Sequence, residues 1–248
     1  NGELASALNI VEAATQRRST PTPQLAPFAS WLAQTNPSDA LAIGISGILR
    51  AWNLAPVDYP ESDKIDSVTR FAETNGFACD LLTSSIDQLV ALNLPALLNV
   101  ECADKHLWVG LVAAEGDTVS VYADGYKTHR VSRQELDSHY AGTALVFWRD
   151  PQPNASVLSK GMKGKDVVKL QHDLKVANLL AGAPTGMFGD ETVRVISELQ
   201  EETGLTVDGL VGRQVRMALC GRLPDPRVPS LSSSDAAPQV ASPNPDGE

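Results

Sequence analysis

The glycine-punctuated stretch between residues 158 and 219 constrains this chain more than any other. Gly161 and Gly164 bracket Met162-Lys163 in a loop, Thr185-Gly186-Met187-Phe188-Gly189 is a tight turn with one large apolar anchor, and Asp208-Gly209 with Gly212 makes another turn. Between them the period is helical. Asp166 stands near a helix start, where a carboxylate suits the positive end of the dipole. Val167, Leu170 and Leu174 then fall on one stripe. Asp190 is a natural N-cap for a second helix, in which Val193, Ile196 and Leu199 face inward and which Gly204 closes. A last helix runs from Gln214 to Leu219. The order of glycines, apolar residues and glutamines specifies a compact three-helix unit.

That ordered set resembles the peptidoglycan-binding-like domain of cell-wall proteins. Val215 departs from the threonine that caps the family's final helix, and Ala183-Pro184-Thr185 is a variant of its turn. The resemblance implies a ligand built of glycan and peptide. Acidic and basic residues balance between Lys160 and Cys220, which suits such a polar ligand and argues against a polyanion. The candidate ligand-binding residues are Gln171, Asp190, Arg194 and Gln200, around the Phe188 turn and the second helix start. Gln171 and Gln200 have a second reading, in which they tie down backbone groups between helices.

The 248 residues carry a net charge of −10, which disfavours nucleic acid and anionic membrane surfaces as partners. At 43% hydrophobic the chain can bury a core, and no apolar run reaches transmembrane length. It begins at Asn1-Gly2 without a signal peptide, and reads as a processed form or an excised soluble part of something longer. Cys79, Cys102 and Cys220 lack metal-ligand spacing; either Cys79 and Cys102 are strand neighbours able to pair, or all three are buried thiols. His129, His139 and His172 have no useful spacing either, so neither a metal nor another cofactor is expected.

The organisation follows from composition. Residues 1–25 are peripheral. Residues 26–150 read as an α+β domain, with helical patterns from 25 to 53 and 65 to 72, then strands near 77–82, 95–100, 107–113, 118–123 and 144–148, and a short helix at 86–92. Residues 151–157 form a linker, 158–222 the helical module, and 223–248 a tail rich in proline and serine that is expected to be disordered.

The α+β domain contains Gln34-Thr35-Asn36-Pro37-Ser38-Asp39-Ala40, followed by an apolar helix. This resembles the Gln-x-x-x-x-Asp-Cys motif of the C39 family of bacteriocin-processing cysteine peptidases, which have a papain-like fold. Gln34 falls on the family's oxyanion glutamine, His106 in Lys105-His106-Leu107-Trp108-Val109 on its histidine, and Asp124 on its orienting aspartate. Ala40 falls on the nucleophile. A methyl group cannot attack a carbonyl, so no catalytic residue is expected, and Gln34, Ala40, His106 and Asp124 are degenerate positions. Cys79 lies far along the chain from the helix start, and Ser38 is two residues early.

A C39-like domain followed by a peptidoglycan-binding-like domain resembles the periplasmic region of the general secretion pathway protein A family of type II secretion systems. In that family an ATPase domain and a transmembrane helix precede this region, and no Gly-x-x-x-x-Gly-Lys-Ser/Thr motif occurs here. The resemblance implies a periplasmic, non-enzymatic module that grips peptidoglycan, partners with general secretion pathway protein B, self-associates, and helps place the secretin. Its link to the membrane would run through a segment missing from the chain. The alternatives are a peptidase or wall hydrolase with an unrecognised nucleophile, and a pure protein-interaction scaffold.

Overall fold

The computed structural model describes residues 28–55, 59–123 and 127–232. The peripheral segment 1–25, Asp124 and residues 233–248 of the tail therefore lie outside the described residues.

The helical pattern from 25 to 53 divides into α1 (Phe28–Gln34) and α2 (Pro37–Ala51). Asn36 causes the break. Its backbone is extended, its side-chain oxygen accepts the Asp39 N–H at 2.9 Å, and Pro37 follows at the first helical position. After α3 (Ile65–Thr74) the chain enters β1 (Ala78–Thr83), then α4 (Ile86–Leu92), β2 (Ala96–Cys102), β3 (Lys105–Glu115), β4 (Thr118–Ala123), β5 (Lys127–Ser132), α5 (Arg133–Asp137) and β6 (Tyr140–Trp148). The strands form one antiparallel sheet in the order β1-β6-β2-β3-β4-β5. The α+β class is as the sequence reads.

The sequence pattern did not reveal β5. Only His129 and Val131 of its six residues are buried, and Lys127 and Arg130 face solvent. Such charge is typical of a blunted sheet edge rather than of an apolar run.

α2 packs on β3 and β4 almost backbone to backbone. A Cβ on Gly110 would sit 2.6 Å from the Gly44 carbonyl oxygen, and one on Gly47 would sit 2.4 Å from Tyr122 Cβ. Ala40, Ile45 and Ile48 of α2 are fully buried as a result.

The second domain comprises α6 (Lys165–Val176), α7 (Asp190–Glu202) and α8 (Arg213–Cys220). Two short antiparallel bridges, Leu158↔Val211 and Lys163↔Met187, tie its entry segment to the two interhelical turns. One continuous apolar core runs through both domains. Polar contacts fix the docking. Arg213 Nε donates to both carboxylate oxygens of Asp80 at 3.0 Å, and its guanidinium lies 5.9 Å from the Trp148 ring. Arg222 donates to the Ala91 carbonyl at 2.9 Å, and the Asn93 amide donates to the Gly221 carbonyl at 2.8 Å. Gly221 is pressed so closely that a Cβ would lie 2.1 Å from the Leu92 carbonyl oxygen.

The tail expected to be disordered from residue 223 is instead packed as far as Ser232. Leu231 is buried, its carbonyl accepts the Ala114 N–H at 2.7 Å, and Ser230 and Ser232 both donate to Asn93 Oδ1. The physical reason is an open sheet edge. The β2 ladder ends at Ala96↔Leu111, so the last residues of β3 have no partner on that side until this strap arrives.

Candidate functional site

Of the positions that match the catalytic motif, Gln34 lies on α1, Ala40 in the first turn of α2 and His106 at the start of β3. Gln34 ends α1 and is exposed. Next to it, the Ala33 carbonyl accepts the Lys105 ammonium at 3.0 Å, which ties the start of β3 to α1. His106 shares a strand face with Trp108 and Gly110, the residues whose backbone meets α2 at Gly44. Its imidazole is exposed and lies 3.7 Å from the Glu101 carboxylate. Ala40, in the first turn of α2, is fully buried and gives its N–H to the Asn36 carbonyl. A sealed methyl offers neither a lone pair nor a path to a substrate. Asp124 lies outside the described residues.

Two of the three thiols sit in surroundings unfavourable to a nucleophile. Burial pushes the Cys79 thiol up to about 12 and the Cys220 thiol up to about 11, which leaves both protonated at neutral pH. The pairing of Cys79 with Cys102 is corrected: β6 lies between β1 and β2, and all three cysteines are free. Among the described residues no three His, Cys, Asp or Glu side chains converge as metal ligands, and no helix is long and apolar enough to cross a membrane.

In the helical domain the four candidate ligand residues divide into two kinds. Gln171 is 3% exposed; its carbonyl accepts the Thr185 and Gly186 N–H groups, both at 2.9 Å, and its amide donates to the Met187 carbonyl and the Thr192 hydroxyl. Gln200, also 3% exposed, accepts from the Asp208 and Gly209 N–H groups and donates to Asp208 Oδ1 and the Leu210 carbonyl. Reading a ligand through these amides is therefore corrected. Each is spent on a turn whose glycine, Gly186 or Gly209, has φ near +70°. The Leu210 N–H and then the Gln200 amide hold the Asp208 carboxyl below its ordinary range.

Asp190 and Arg194 stay on the surface. Asp190 is the first residue of α7 rather than its N-cap, a position taken by Gly189. It pairs with Lys160, and Arg194 Nη1 donates to both carboxylate oxygens of Glu198 at 2.7 and 2.8 Å. Around them the structure adds three residues that the sequence reading did not single out. Met162, Val168 and Met187 are large apolar side chains left 42–48% exposed. The pairing of Lys163 with Met187 and the contact of Gly186 with Val168 gather them about one turn. Their signal in sequence was a pair of methionines, each flanked by glycines that carry no side chain to cover them.

Residues 163–219 match the family model described as "Putative peptidoglycan binding domain". The chain is also similar to general secretion pathway protein A. It is 26% identical over 137 residues to the "Putative general secretion pathway protein A" of Escherichia coli K12, covering 55% of this chain and 28% of that protein. It is 38% identical over 63 residues to the spore cortex-lytic enzyme of Bacillus cereus, covering 25% of this chain and 24% of that protein. The chain thus spans less than a third of the length of these relatives. A solved periplasmic domain of the EpsAB fusion protein of the Vibrio vulnificus type II secretion system aligns over 77% of this chain and 80% of its own, at 21% identity and a TM-score of 0.45.

Proposed function

We propose that this chain is a non-catalytic periplasmic module that binds peptidoglycan within a type II secretion system. The observation that carries the reading is the union of a peptidoglycan-binding-type domain with a neighbour whose nucleophile position is the buried Ala40. With general secretion pathway protein B as companion, and by self-association, the module helps place the secretin across the wall. The similarity to general secretion pathway protein A supports that assignment.

The wall contacts the exposed face about the 185–188 turn. Met162, Val168 and Met187 supply apolar surface for sugar rings, and Asp190 and Arg194 supply polar groups at its rim. Sedimentation with purified sacculi tests the reading. The chain is expected to pellet, and retention in the supernatant alongside a folded control that pellets overturns it. Replacing Asp190 and Arg194 together with alanine is expected to weaken pelleting about tenfold, the loss of two surface polar contacts in a desolvated interface. Release of muropeptides on prolonged incubation would restore the hydrolase alternative instead.

A further inference from the structure

The two domains enclose a cleft of about 720 Å³ that neither domain forms alone. Its walls are the end of β6 with the 151–156 segment, one face of α6, one face of α8 and the strap. The volume is of the size that takes a small molecule or a short peptide.

Its charges are arranged unusually. Several are spent within the cleft: Lys169 pairs with Asp173 at 2.6 Å and Arg227 with Asp225 at 2.7 Å. Two are not. Arg149, on the first domain, is exposed, stands 5.6 Å from the Trp52 ring and 5.5 Å from the Phe77 ring, and has no carboxylate partner among the described residues. Asp166, on α6 of the second domain, is exposed and has no cationic partner among the described residues. One unpaired cation and one unpaired anion thus line the same cleft from different domains.

A second pair lies deeper. The Asp150 side chain is 5% exposed and that of Arg216 15%. They approach only to 3.6 Å, beyond hydrogen-bond reach, and Asp150 Oδ2 and Arg216 Nε are left without hydrogen-bond partners. Asp150 Oδ1 accepts the Gln152 N–H at 2.9 Å, and each buried polar atom left unpaired beside it costs stability that a ligand group reaching it would recover.

We propose that this cleft binds a short zwitterionic peptide, its carboxylate toward Arg149 and Arg216 and its ammonium toward Asp166 and Asp150. Trp52 supplies the apolar wall. Under the peptidoglycan reading above, on which the identity of the peptide rests, the ligand is the stem peptide rather than the glycan strand. The site is separate from the exposed face about the 185–188 turn. Because its unpaired charges come from different domains, it exists only in the docked chain.

The test is calorimetric titration of the whole chain with the synthetic tripeptide L-alanyl-γ-D-glutamyl-meso-diaminopimelate, with a chito-oligosaccharide as the glycan probe. Saturable tripeptide binding is expected, with a shift of the Trp52 indole N–H resonance. Arg149→Ala and Asp166→Asn, both at exposed positions, are expected to weaken it about tenfold each. Absence of tripeptide binding in a chain that still pellets with sacculi overturns the cleft site and leaves the wall-binding reading intact. Binding unaffected by both substitutions overturns it, as does equal, Arg149-dependent binding of the oligosaccharide. Tripeptide binding that depends on Arg149, in a chain that fails to pellet, upholds the cleft and overturns the wall reading.

Discussion

After α6, Gln171 gathers the N–H groups of Thr185 and Gly186 and sends Phe188 into the core; after α7, Gln200 gathers those of Asp208 and Gly209 and sends Val211 inward. Each turn then enters a helix through a glycine, Gly189 or Gly212. The residue that follows separates them. Asp190 opens α7 toward solvent with Lys160 as its partner, whereas Arg213 opens α8 against Asp80 and Trp148 of the first domain. One device has been duplicated, and its two copies are assigned to different surfaces. The first leaves an apolar face free, and the second fastens the domains together.

The buried anchors offer the largest test of that likeness. Phe188→Ala is expected to cost about 4 kcal/mol and Val211→Ala about 2 kcal/mol in urea denaturation, because the cavity scales with the atoms removed. Equal losses would mean that the two turns do not share the core in the same way.

Replacing the glutamines comes next. Gln171→Ala and Gln200→Ala each strand two backbone N–H groups, and each is expected to destabilise by about 3 kcal/mol. Hydrogen exchange should then accelerate at Gly186 in the first variant and at Gly209 in the second, without crossing over.

The helix-opening residues should break the symmetry. Arg213→Ala is expected to cost about 1 kcal/mol, a value reduced because the side chain is 46% exposed, and to loosen the docking enough to be seen as faster proteolysis of the 151–156 segment. Asp190→Ala should change stability by no more than about 0.5 kcal/mol. A larger effect at Asp190 than at Arg213 would reverse the assignment of free and docked copies.

The smallest difference is one of acidity. Asp208 is held below the ordinary carboxylate value of 3.8, so its contribution is present above that value and is lost as pH falls through the lower folded value. Its counterpart Thr185 does not titrate. Exchange at Gly209 should therefore rise several-fold relative to Gly186 as the solution is acidified through the lowered folded value of Asp208. Asp208→Asn should abolish the pH dependence.

Much of this was legible in the chain. A turn that needs a left-handed residue calls for glycine, so Gly161, Gly164, Gly186 and Gly209 marked their loops. The apolar runs gave five of the six strands within a few residues of their ends. Gln171 and Gln200 were harder, because a buried amide that holds a turn and an exposed amide that reads a ligand have the same sequence signature. Only the second reading, the tying of backbone groups, agrees with their 3% exposure. The cleft was not legible at all. Trp52, Arg149, Asp166 and Arg216 are far apart in sequence, and no local period relates them; docking of the two domains brings them together. Similarly, nothing in the proline- and serine-rich composition of residues 223–232 distinguishes a strap from a loose end. The distinction depends on an unpaired length of β3 that exists only after the sheet has formed.

That strap has a consequence for any chain trimmed at the apparent end of the second domain. Removal of the residues after Arg222 would leave both domains complete but would bare the Ala114 N–H and the apolar socket of Leu231. Such an edge invites strand exchange with another copy. The strap acts as a sealing strip: while it is seated, this stretch of β3 is closed to a strand from another copy.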